Sequence, residues 1–172
     1  MIIRELTSSG YESHVPRLAE ILIDAVDSGA GVSFMAPLTR AVAEDYWRRQ
    51  VSDIAAGATI QFVAVENDII AGTVLLIKAW APNQPHRCDV AKLLVHRDFR
   101  RKGVGTLLMQ ALEQKARDLN YSLVTFDAVG HGAVEKFYRG LGFTLVGHIP
   151  GYAYDTKGLH DTAIFYKKLT QP

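Results

Sequence analysis

The chain has 172 residues, of which 48% are hydrophobic and 22% are charged, and this composition excludes a disordered or fibrous protein. The formal net charge is only +1, from 19 basic and 18 acidic residues. It argues against a nucleic-acid-binding protein, because such proteins usually carry a clear basic excess. The single cysteine, Cys88, excludes both an intrachain disulfide and a cysteine metal cluster.

The sequence gives no sign of targeting or of a membrane segment. Residues 1–6 are too few and too charged for a secretory signal peptide. No uncharged apolar run approaches the roughly 20 residues that a membrane-spanning helix needs. We therefore expect a soluble, cytoplasmic protein without a membrane or nucleic-acid partner. Since no linker, repeat or low-complexity segment divides the chain, we expect residues 1–172 to form a single domain.

The hydrophobic pattern predicts strands and helices in the order β-α-α-β-β-β-α-β-α-β-β. Apolar side chains at helical spacing predict helices over 15–26, 38–54, 104–119 and 132–141. Runs rich in β-forming residues predict the strands, and the mixture predicts an α/β (α+β) fold with a mixed sheet and helices on its faces. The predicted strands are Ile2–Leu6, Ile60–Val65, Ile69–Lys78, His86–Val95, Tyr121–Ala128, Thr144–His148 and Thr162–Leu169.

Two details of this prediction concern the third helix and the segment before the last strand. The third helix is expected to bury one face, on which only Lys115 is polar. The segment Tyr152–Asp161, which contains His160, is expected to be a loop. The predicted buried face of the helix comprises Val104, Leu107, Leu108, Ala111, Leu112, Lys115, Ala116 and Leu119.

The most informative segment lies between a strand and the third helix and reads Arg100-Arg101-Lys102-Gly103-Val104-Gly105-Thr106. A helix N-terminus offers unpaired backbone N–H groups and the positive end of the helix dipole, both of which suit phosphate. Gly103 and Gly105 would let the backbone approach an anion closely. The positive side chains at this turn are His96, Arg97, Arg100, Arg101 and Lys102.

The residues alone leave three other interpretations of this segment open. In the first, the glycines form an ordinary loop with a solvated basic face. In the second, Gly103-x-Gly105 begins a dinucleotide fingerprint with Asp127 as the ribose ligand, but Leu108 occupies the position of the third glycine. The third is a P-loop, which lacks its Gly-Lys-Ser/Thr here. Both nucleotide interpretations fit poorly.

Two motifs in order form a more specific pattern. The first is Leu93-Leu94-Val95 followed by Arg100-x-x-Gly103-x-Gly105, and the second is Phe137-Tyr138-x-x-x-Gly142-Phe143. They resemble the strand with its Q/R-x-x-G-x-G/A acetyl-CoA motif and the F-Y-x-x-x-G-F signature of the GNAT superfamily of N-acetyltransferases. The resemblance covers roughly residues 60–169. It implies the GNAT fold, a mixed sheet of about seven strands with four helices and a splayed pair of strands that holds acetyl-CoA.

The resemblance also implies the cofactor site. Backbone groups around Leu93, Leu94 and Val95 would pair with the pantetheine arm of acetyl-CoA like an added strand. Acetyl-CoA would be the co-substrate, and no metal is expected. Main-chain N–H groups of the following turn would hold the pyrophosphate, and its residues are Arg100, Arg101, Lys102, Gly103, Val104, Gly105 and Thr106.

Acetyl transfer from a thioester to an amine requires a neutral amine, a donor for the developing oxyanion and a proton for the leaving thiolate. Tyr138 matches the family tyrosine that points at the thioester sulfur, and we expect it to supply that proton. Asp127 and Asp89 are the candidate bases, and either would need burial to raise its pKa from about 4. A chain of water molecules without a single base is the third alternative.

A narrower similarity bears on the acceptor. Four segments resemble the tabtoxin resistance group within the superfamily, which acetylates the amino group of a toxic β-lactam amino acid. This similarity implies a primary amine of a small molecule as acceptor, with an amino-acid-like toxin or antibiotic among the candidates. The segments are Gly31–Ala36, Asp53–Gly57, Pro150–Tyr152 and His160–Phe165.

Several other residues and properties have weaker support. Phe34, Met35 and Trp47 are candidates to line the acceptor site, which the N-terminal region walls in this family. His131 has no assigned role, and we interpret Cys88 as a small strand residue. A homodimer is expected only because GNAT domains are often dimers. The alternative function is a catalytically weak acyl-CoA-binding sensor or partner module.

Overall fold

A computed structural model describes residues 1–129, 132–155 and 158–169. Within these residues the chain forms a seven-stranded mixed sheet with four α-helices on its faces, which confirms the predicted fold class and order of elements. The strands are β1 (Ile2–Leu6), β2 (Thr59–Glu66), β3 (Ile69–Lys78), β4 (Arg87–Val95), β5 (Leu123–Val129), β6 (Thr144–Asp155) and β7 (Gly158–Lys168). The helices are α1 (Val15–Asp27), α2 (Arg40–Ala55), α3 (Val104–Asp118) and α4 (Ala133–Gly140).

The order of the strands across the sheet is β1-β2-β3-β4-β5-β7-β6. Neighbouring strands are antiparallel except β4 and β5, which are parallel. A parallel pair needs a crossover connection, and α3 supplies it. The turn between β2 and β3 places Asn67 and Asp68 at φ 50° and 61°, which are the two positive values that a tight hairpin turn requires.

The parallel strands β4 and β5 separate after their first pairs. They pair from Arg87 to Asp89 of β4, whereas β4 pairs with β3 as far as Val95 and β5 pairs with β7 as far as Val129. Both strands lie wholly within the described residues, so the loss of pairing beyond Asp89 opens a gap in the sheet. We call it the β4–β5 gap. The predicted splayed pair of strands is thus confirmed.

Each face of the sheet packs on its own hydrophobic core. One core, which includes the fully buried Trp47, lies under α1 and α2. The other lies under α3 and α4 and includes Val124 and Phe126 of β5. Because side chains alternate along a strand, Thr125 and Asp127 of β5 face the α1–α2 side. The gap therefore opens onto different helices on its two sides.

The buried face of α3 differs from the predicted one. Leu107 and Leu119 are 39% and 44% exposed, whereas Met109 and Glu113 are buried. Glu113 is tolerated in the core because Lys167 of β7 donates a hydrogen bond of 2.6 Å to its Oε2, and a paired charge offsets much of the cost of burial. The buried face comprises Val104, Leu108, Met109, Leu112, Glu113 and Ala116.

The prediction of a loop at Tyr152–Asp161 was wrong. β6 continues to Asp155 and β7 begins at Gly158, with Ala153 paired to His160. The Pro-Gly pair at 150–151 suggests a break, but a register shift in that part of β6 absorbs it as a bulge. The strand then resumes with tyrosines at 152 and 154, residues that favour β structure.

None of the helices in the described residues is long and apolar enough to cross a membrane. These residues also contain no group of three or more His, Cys, Asp or Glu side chains that could hold a metal ion. Cys88 is buried in β4. Burial, assisted by the neighbouring charge of Asp89, raises the pKa of its thiol to about 12, so it is not a thiolate nucleophile at neutral pH.

Candidate active site

The β4–β5 gap leaves one edge of β4 unpaired over the residues predicted to bind the pantetheine arm. Leu94 buries its side chain in the α1–α2 core, while Leu93 and Val95 pack against the α3 core. Their other edge is occupied by the ladder with β3. Toward β5, no strand of the described residues pairs with them. An extended ligand can add to such an edge as an extra strand.

The first turn of α3 lies just beyond this edge of β4. Helix geometry leaves its first backbone N–H groups without intrahelical partners, and no side chain of the described residues caps them. Gly103 is the N-cap residue with φ 78°, a left-handed conformation that glycine adopts without strain. The turn from Gly103 to Thr106 therefore presents unpaired donors and a positive dipole end, which together suit an anion.

Glycine is required at the two positions of this turn for different physical reasons. Gly103 supplies the positive φ, and a Cβ added to it would meet nothing within 4 Å. At Gly105, an added Cβ would lie 3.3 Å from Cζ of Phe137, so this glycine allows α3 to approach α4. Beside them, Arg101 and Lys102 are exposed, which leaves both positive side chains accessible to a ligand.

The guanidinium of Arg100 binds groups of α1, of the residue after it and of β4. Its Nη2 donates to Oδ2 of Asp24 at 2.6 Å, its Nη1 to Oγ of Ser28 at 3.1 Å and its Nε to the carbonyl of Val95 at 2.9 Å. Asp24 of α1 also accepts from the backbone N–H of Arg97 at 3.0 Å and from the Arg97 guanidinium. Arg100 and Asp24 thus connect the turn before α3 to α1.

We expect Asp24→Asn to destabilise the protein in a pH-dependent way. The Asp24 side chain is only 5% exposed. Burial raises its pKa, but the hydrogen bonds from Arg97 and the charge of Arg100 outweigh burial and hold the pKa below its ordinary value. A carboxylate with a lowered pKa stabilises the fold above its unfolded pKa of about 4, and that contribution is lost as the pH falls through the folded-state pKa.

The expected loss in the free energy of unfolding is about 1–3 kcal/mol at neutral pH, and it should shrink below about pH 4. Urea unfolding of wild type and variant at neutral pH and at about pH 3 measures the difference. An equal loss at both pH values would show that Asp24 does not stabilise the fold through its charge.

Tyr138 lies on α4 with its ring among aromatic side chains. Its ring centroid is 4.4 Å from that of Phe126 and 5.3 Å from that of Phe165. Burial, with a smaller contribution from the charge of Asp127, raises the pKa of Tyr138 to about 12. The hydroxyl therefore stays protonated through neutral and moderately alkaline pH. It is available as a proton donor over that whole range.

The two candidate bases lie at different points of the β4–β5 gap. Asp127 lies beyond the last β4–β5 pair and is exposed, and Oγ1 of Thr162 donates to its Oδ2 at 3.4 Å. Asp89 lies at the last pair, where Arg87 and Thr125 both donate to its Oδ1. The burial that we expected for a base is not found at Asp127, which is exposed.

Lys92 also lies beside the gap, and it was not among the site residues predicted from the sequence. It lies where the register between β3 and β4 shifts, and its φ is 50°, the left-handed region found at some β-bulges. Its Nζ lies 5.4 Å from the ring centroid of Tyr46 and 5.8 Å from that of Phe34. The signal that could have identified it is a lysine within the otherwise apolar run 90–95.

The loop between α1 and α2 closes the α1–α2 side of the gap. Its Gly31 lies so close to β5 that an added Cβ would be 2.2 Å from Cγ2 of Val129. Of the three residues predicted to line the acceptor site, Phe34 lies beside the Lys92 ammonium group. Met35 is 49% exposed, and Trp47 belongs to the core. His131 lies outside the described residues.

A model of the acetyltransferase (GNAT) family matches residues 33–143, which is more than half of the chain, and the chain belongs to this family. The matched range contains part of the α1–α2 loop, the β4–β5 gap and the N-terminus of α3. The match confirms the predicted enzyme class, an acetyl-CoA-dependent N-acetyltransferase, and acetyl-CoA as the co-substrate.

A curated relative from Azospirillum brasilense is described as an uncharacterized N-acetyltransferase in the hisH-hisA intergenic region. It is 29% identical over 112 residues, which cover 64% of this chain and 65% of the relative. The chain therefore matches slightly less than two thirds of that relative's length.

Solved structures with the same fold cover nearly the whole chain. The ribosomal-protein-alanine N-acetyltransferase of Brucella melitensis has a TM-score of 0.79 at 18% identity, with 98% of this chain and 100% of that chain covered. An N-acetyltransferase of Staphylococcus aureus has a TM-score of 0.81 at 16% identity, with 99% and 100% covered. The yncA protein of Salmonella typhimurium, solved with its cofactor acetyl-CoA, has a TM-score of 0.78 at 16% identity, with 100% and 95% covered.

Proposed function

We propose that this chain, as a single cytoplasmic domain, transfers the acetyl group of acetyl-CoA to the primary amine of a small molecule by direct attack in a ternary complex. The observation that carries this proposal is the β4–β5 gap, which joins an unpaired strand edge to the uncapped N-terminus of α3. Asp127 lies on β5 beyond the last β4–β5 pair, and its charge acts on the buried hydroxyl of Tyr138.

The residues around the gap fit acetyl-CoA. The unpaired backbone of Leu93 and Val95 suits the amide groups of a pantetheine arm, since a strand edge pairs with any extended amide chain. The N–H groups from Gly103 to Thr106 suit the pyrophosphate. The exposed side chains of Arg101 and Lys102 add positive charge for a further phosphate.

In the proposed reaction, acetyl-CoA supplies the thioester whose carbonyl carbon the amine attacks. Asp127 attracts the ammonium form of the acceptor and accepts one proton, which leaves the nitrogen lone pair available. As the N–C bond forms and the C–S bond breaks, the Tyr138 hydroxyl gives its proton to the sulfur. The second proton lost by the nitrogen restores Tyr138 through water. The products are an N-acetylated amine and the free thiol of CoA.

We favour Asp127 over Asp89 as the group that takes the first proton. Asp89 is already engaged by Arg87 and by the hydroxyl of Thr125, whereas Asp127 is accessible at the gap. An acceptor amine can therefore approach the carboxylate of Asp127 directly, without displacing an ion-pair partner.

A comparison of pH–rate profiles tests this assignment. Asp127→Asn is expected to lower kcat/KM for the acceptor by about 10²-fold, the usual contribution of a general base, and to remove its acidic limb. Asp89→Asn is expected to keep the wild-type profile. Wild-type profiles for both variants would support deprotonation through water, and loss of the limb in Asp89→Asn alone would reverse the assignment.

Release of free thiol from acetyl-CoA, measured with a panel of amines, tests the activity itself. The panel includes amino acids, aminoglycosides, polyamines and peptides with a free N-terminus. We expect rapid release with at least one small amine. Binding of acetyl-CoA without thiol release across the panel would favour the alternative, an acyl-CoA sensor or partner module.

The acceptor class rests on sequence similarity to the tabtoxin resistance group, carried by segments such as Gly31–Ala36 and His160–Phe165. That similarity favours an amino-acid-like toxin or antibiotic as the acceptor, and resistance as the physiological role. The resistance role is tested by growing a host strain with such a compound. Growth with the wild-type protein is compared with growth with Tyr138→Phe. No difference between the two strains would remove the resistance role and leave acetyl transfer intact.

A homodimer is part of the proposal. The hairpin of β6 and β7 is at the edge of the sheet, and it exposes large hydrophobic side chains of the kind found at subunit interfaces. Light scattering behind a sizing column measures the mass, and a single species of 19.0 kDa would contradict the dimer. The exposed side chains are Val146, Ile149, Tyr152, Tyr154 and Leu159.

A further inference from the structure

The side chain of Lys92 lies between β4 and the elements that pack on the α1–α2 side of the sheet. β4 bulges at this residue, and the ammonium group lies against Phe34 of the α1–α2 loop and Tyr46 of α2. Asp127 faces the same side of the sheet. Burial lowers the pKa of Lys92, and the negative charge of Asp127 partly opposes that shift. Lys92 thus lies on the α1–α2 side of the gap, away from the α3 N-terminus.

The contacts of Lys92 leave most of its hydrogen-bonding capacity unused. An ammonium group has three donors, and the hydrogen bond given by Nζ in the described part of the chain is a long one of 3.5 Å to Oγ of Ser33. No carboxylate of the described residues forms an ion pair with it. The two aromatic rings hold the cation by their faces but provide no acceptor for its N–H groups.

A half-buried cation with unused donors is most stable beside an anion. A cationic group of a ligand would be repelled by Lys92, and a neutral group would leave the charge of Lys92 unpaired. At the same time the carboxylate of Asp127 attracts a cation on the same face of the sheet. The two charges together are complementary to a zwitterion, a molecule with an ammonium group at one end and an oxyanion at the other.

We propose that Lys92 is the anion-binding subsite of the acceptor pocket, and that the acceptor carries a carboxylate close to its primary amine. The amine of such an amino acid lies beside Asp127 and Tyr138, and its carboxylate accepts hydrogen bonds from Lys92. This inference rests on the proposed function, since it names the acceptor class of the same site.

The test compares free amino acids with their methyl esters, which keep the amine and the side chain but lack the negative charge. The probes are the standard L-amino acids, β-alanine and γ-aminobutyrate, each with its ester, titrated calorimetrically into the protein saturated with CoA. We expect at least one free acid to bind at least about tenfold more tightly than its ester, the difference that a charged hydrogen bond makes.

Lys92→Met removes the charge, and it should reduce this preference to near unity while acetyl-CoA affinity is unchanged. Lys92→Arg keeps the charge and should keep most of the preference. Lys78→Met is the matched control, since Lys78 is an exposed lysine at the end of β3, and it should behave as wild type. Retained acid preference in Lys92→Met overturns the subsite.

The wild-type titration is decisive even if a variant does not fold. Equal or tighter binding of the esters, or no binding of any free acid, also overturns the subsite. If thiol is then released with amines or polyamines that lack a carboxylate, the proposed acetyl transfer stands without the subsite. Failure of the folded protein to bind acetyl-CoA would instead overturn the proposed function.

Discussion

Replacement of Tyr138 by phenylalanine is expected to lower kcat at least about tenfold, because the departing thiolate loses its proton donor. The affinity for acetyl-CoA should stay nearly unchanged. Phenylalanine keeps the ring that packs on Phe126 and Phe165, so the aromatic core should not change. Steady-state kinetics with a saturating acceptor, together with calorimetry for acetyl-CoA, measure both effects.

Tyr121→Phe is the matched control. Tyr121 belongs to the same hydrophobic core but lies just before β5, at the end where β4 and β5 are still paired. Removal of its hydroxyl should leave kcat as in the wild type. Wild-type turnover in Tyr138→Phe, or an equal loss in both variants, would contradict the proton-donor role.

The raised pKa of Tyr138 also predicts the alkaline side of the pH profile. With a pKa of about 12, the hydroxyl remains almost fully protonated at about pH 10, where an ordinary tyrosine is half ionised. Ionisation of Tyr138 should therefore not lower wild-type kcat near about pH 10. Any decline there should be seen equally in Tyr138→Phe. A decline seen in the wild type but not in Tyr138→Phe would mean that the Tyr138 ring is less desolvated than its position in the core indicates.

Gly103→Asp is expected to weaken the binding of acetyl-CoA strongly. It places a carboxylate at the N-terminus of α3, beside the N–H groups that we propose bind the pyrophosphate. Repulsion between charges roughly 8 Å apart near a protein surface amounts to about 2 kcal/mol, which corresponds to about 30-fold weaker binding of acetyl-CoA. Calorimetric titration with acetyl-CoA measures the change.

Gly103→Asn separates charge from backbone strain. Both side chains are similar in size, both must adopt φ 78°, and a Cβ at this position would meet nothing within 4 Å. Asparagine should therefore lose much less affinity than aspartate. A similar loss in both variants would mean that strain at the turn, rather than an anion site, explains the effect.

The fold could be predicted from the sequence because its elements are strongly patterned. Helical spacing and β-rich runs identified the order of strands and helices, and the chain folds in that order. The face of α3 was less predictable. Glu113 is buried because Lys167 comes from β7, more than 50 residues away, and periodicity within a helix contains no information about such a partner.

The site could be predicted only in part, because two of its features arise from contacts between separate elements of the fold. The motif around Gly103 marks a helix N-terminus, and the structure places an uncapped one there. The bulge at Lys92, however, depends on how β4 pairs with β3. The orientation of the Arg100 side chain depends on Asp24 of α1, a residue that belongs to no motif.

The proposed acetyl transfer requires that the first turn of α3 bind the diphosphate of coenzyme A through its main-chain N–H groups. Calorimetric titration of the wild-type protein with coenzyme A and, separately, with pantetheine tests this binding mode, because pantetheine lacks the diphosphate and the nucleotide. Several charged hydrogen bonds are at stake, so coenzyme A should bind at least about 100-fold more tightly than pantetheine. Equal affinities for the two compounds, or no uptake of coenzyme A by the folded protein, would contradict this binding mode.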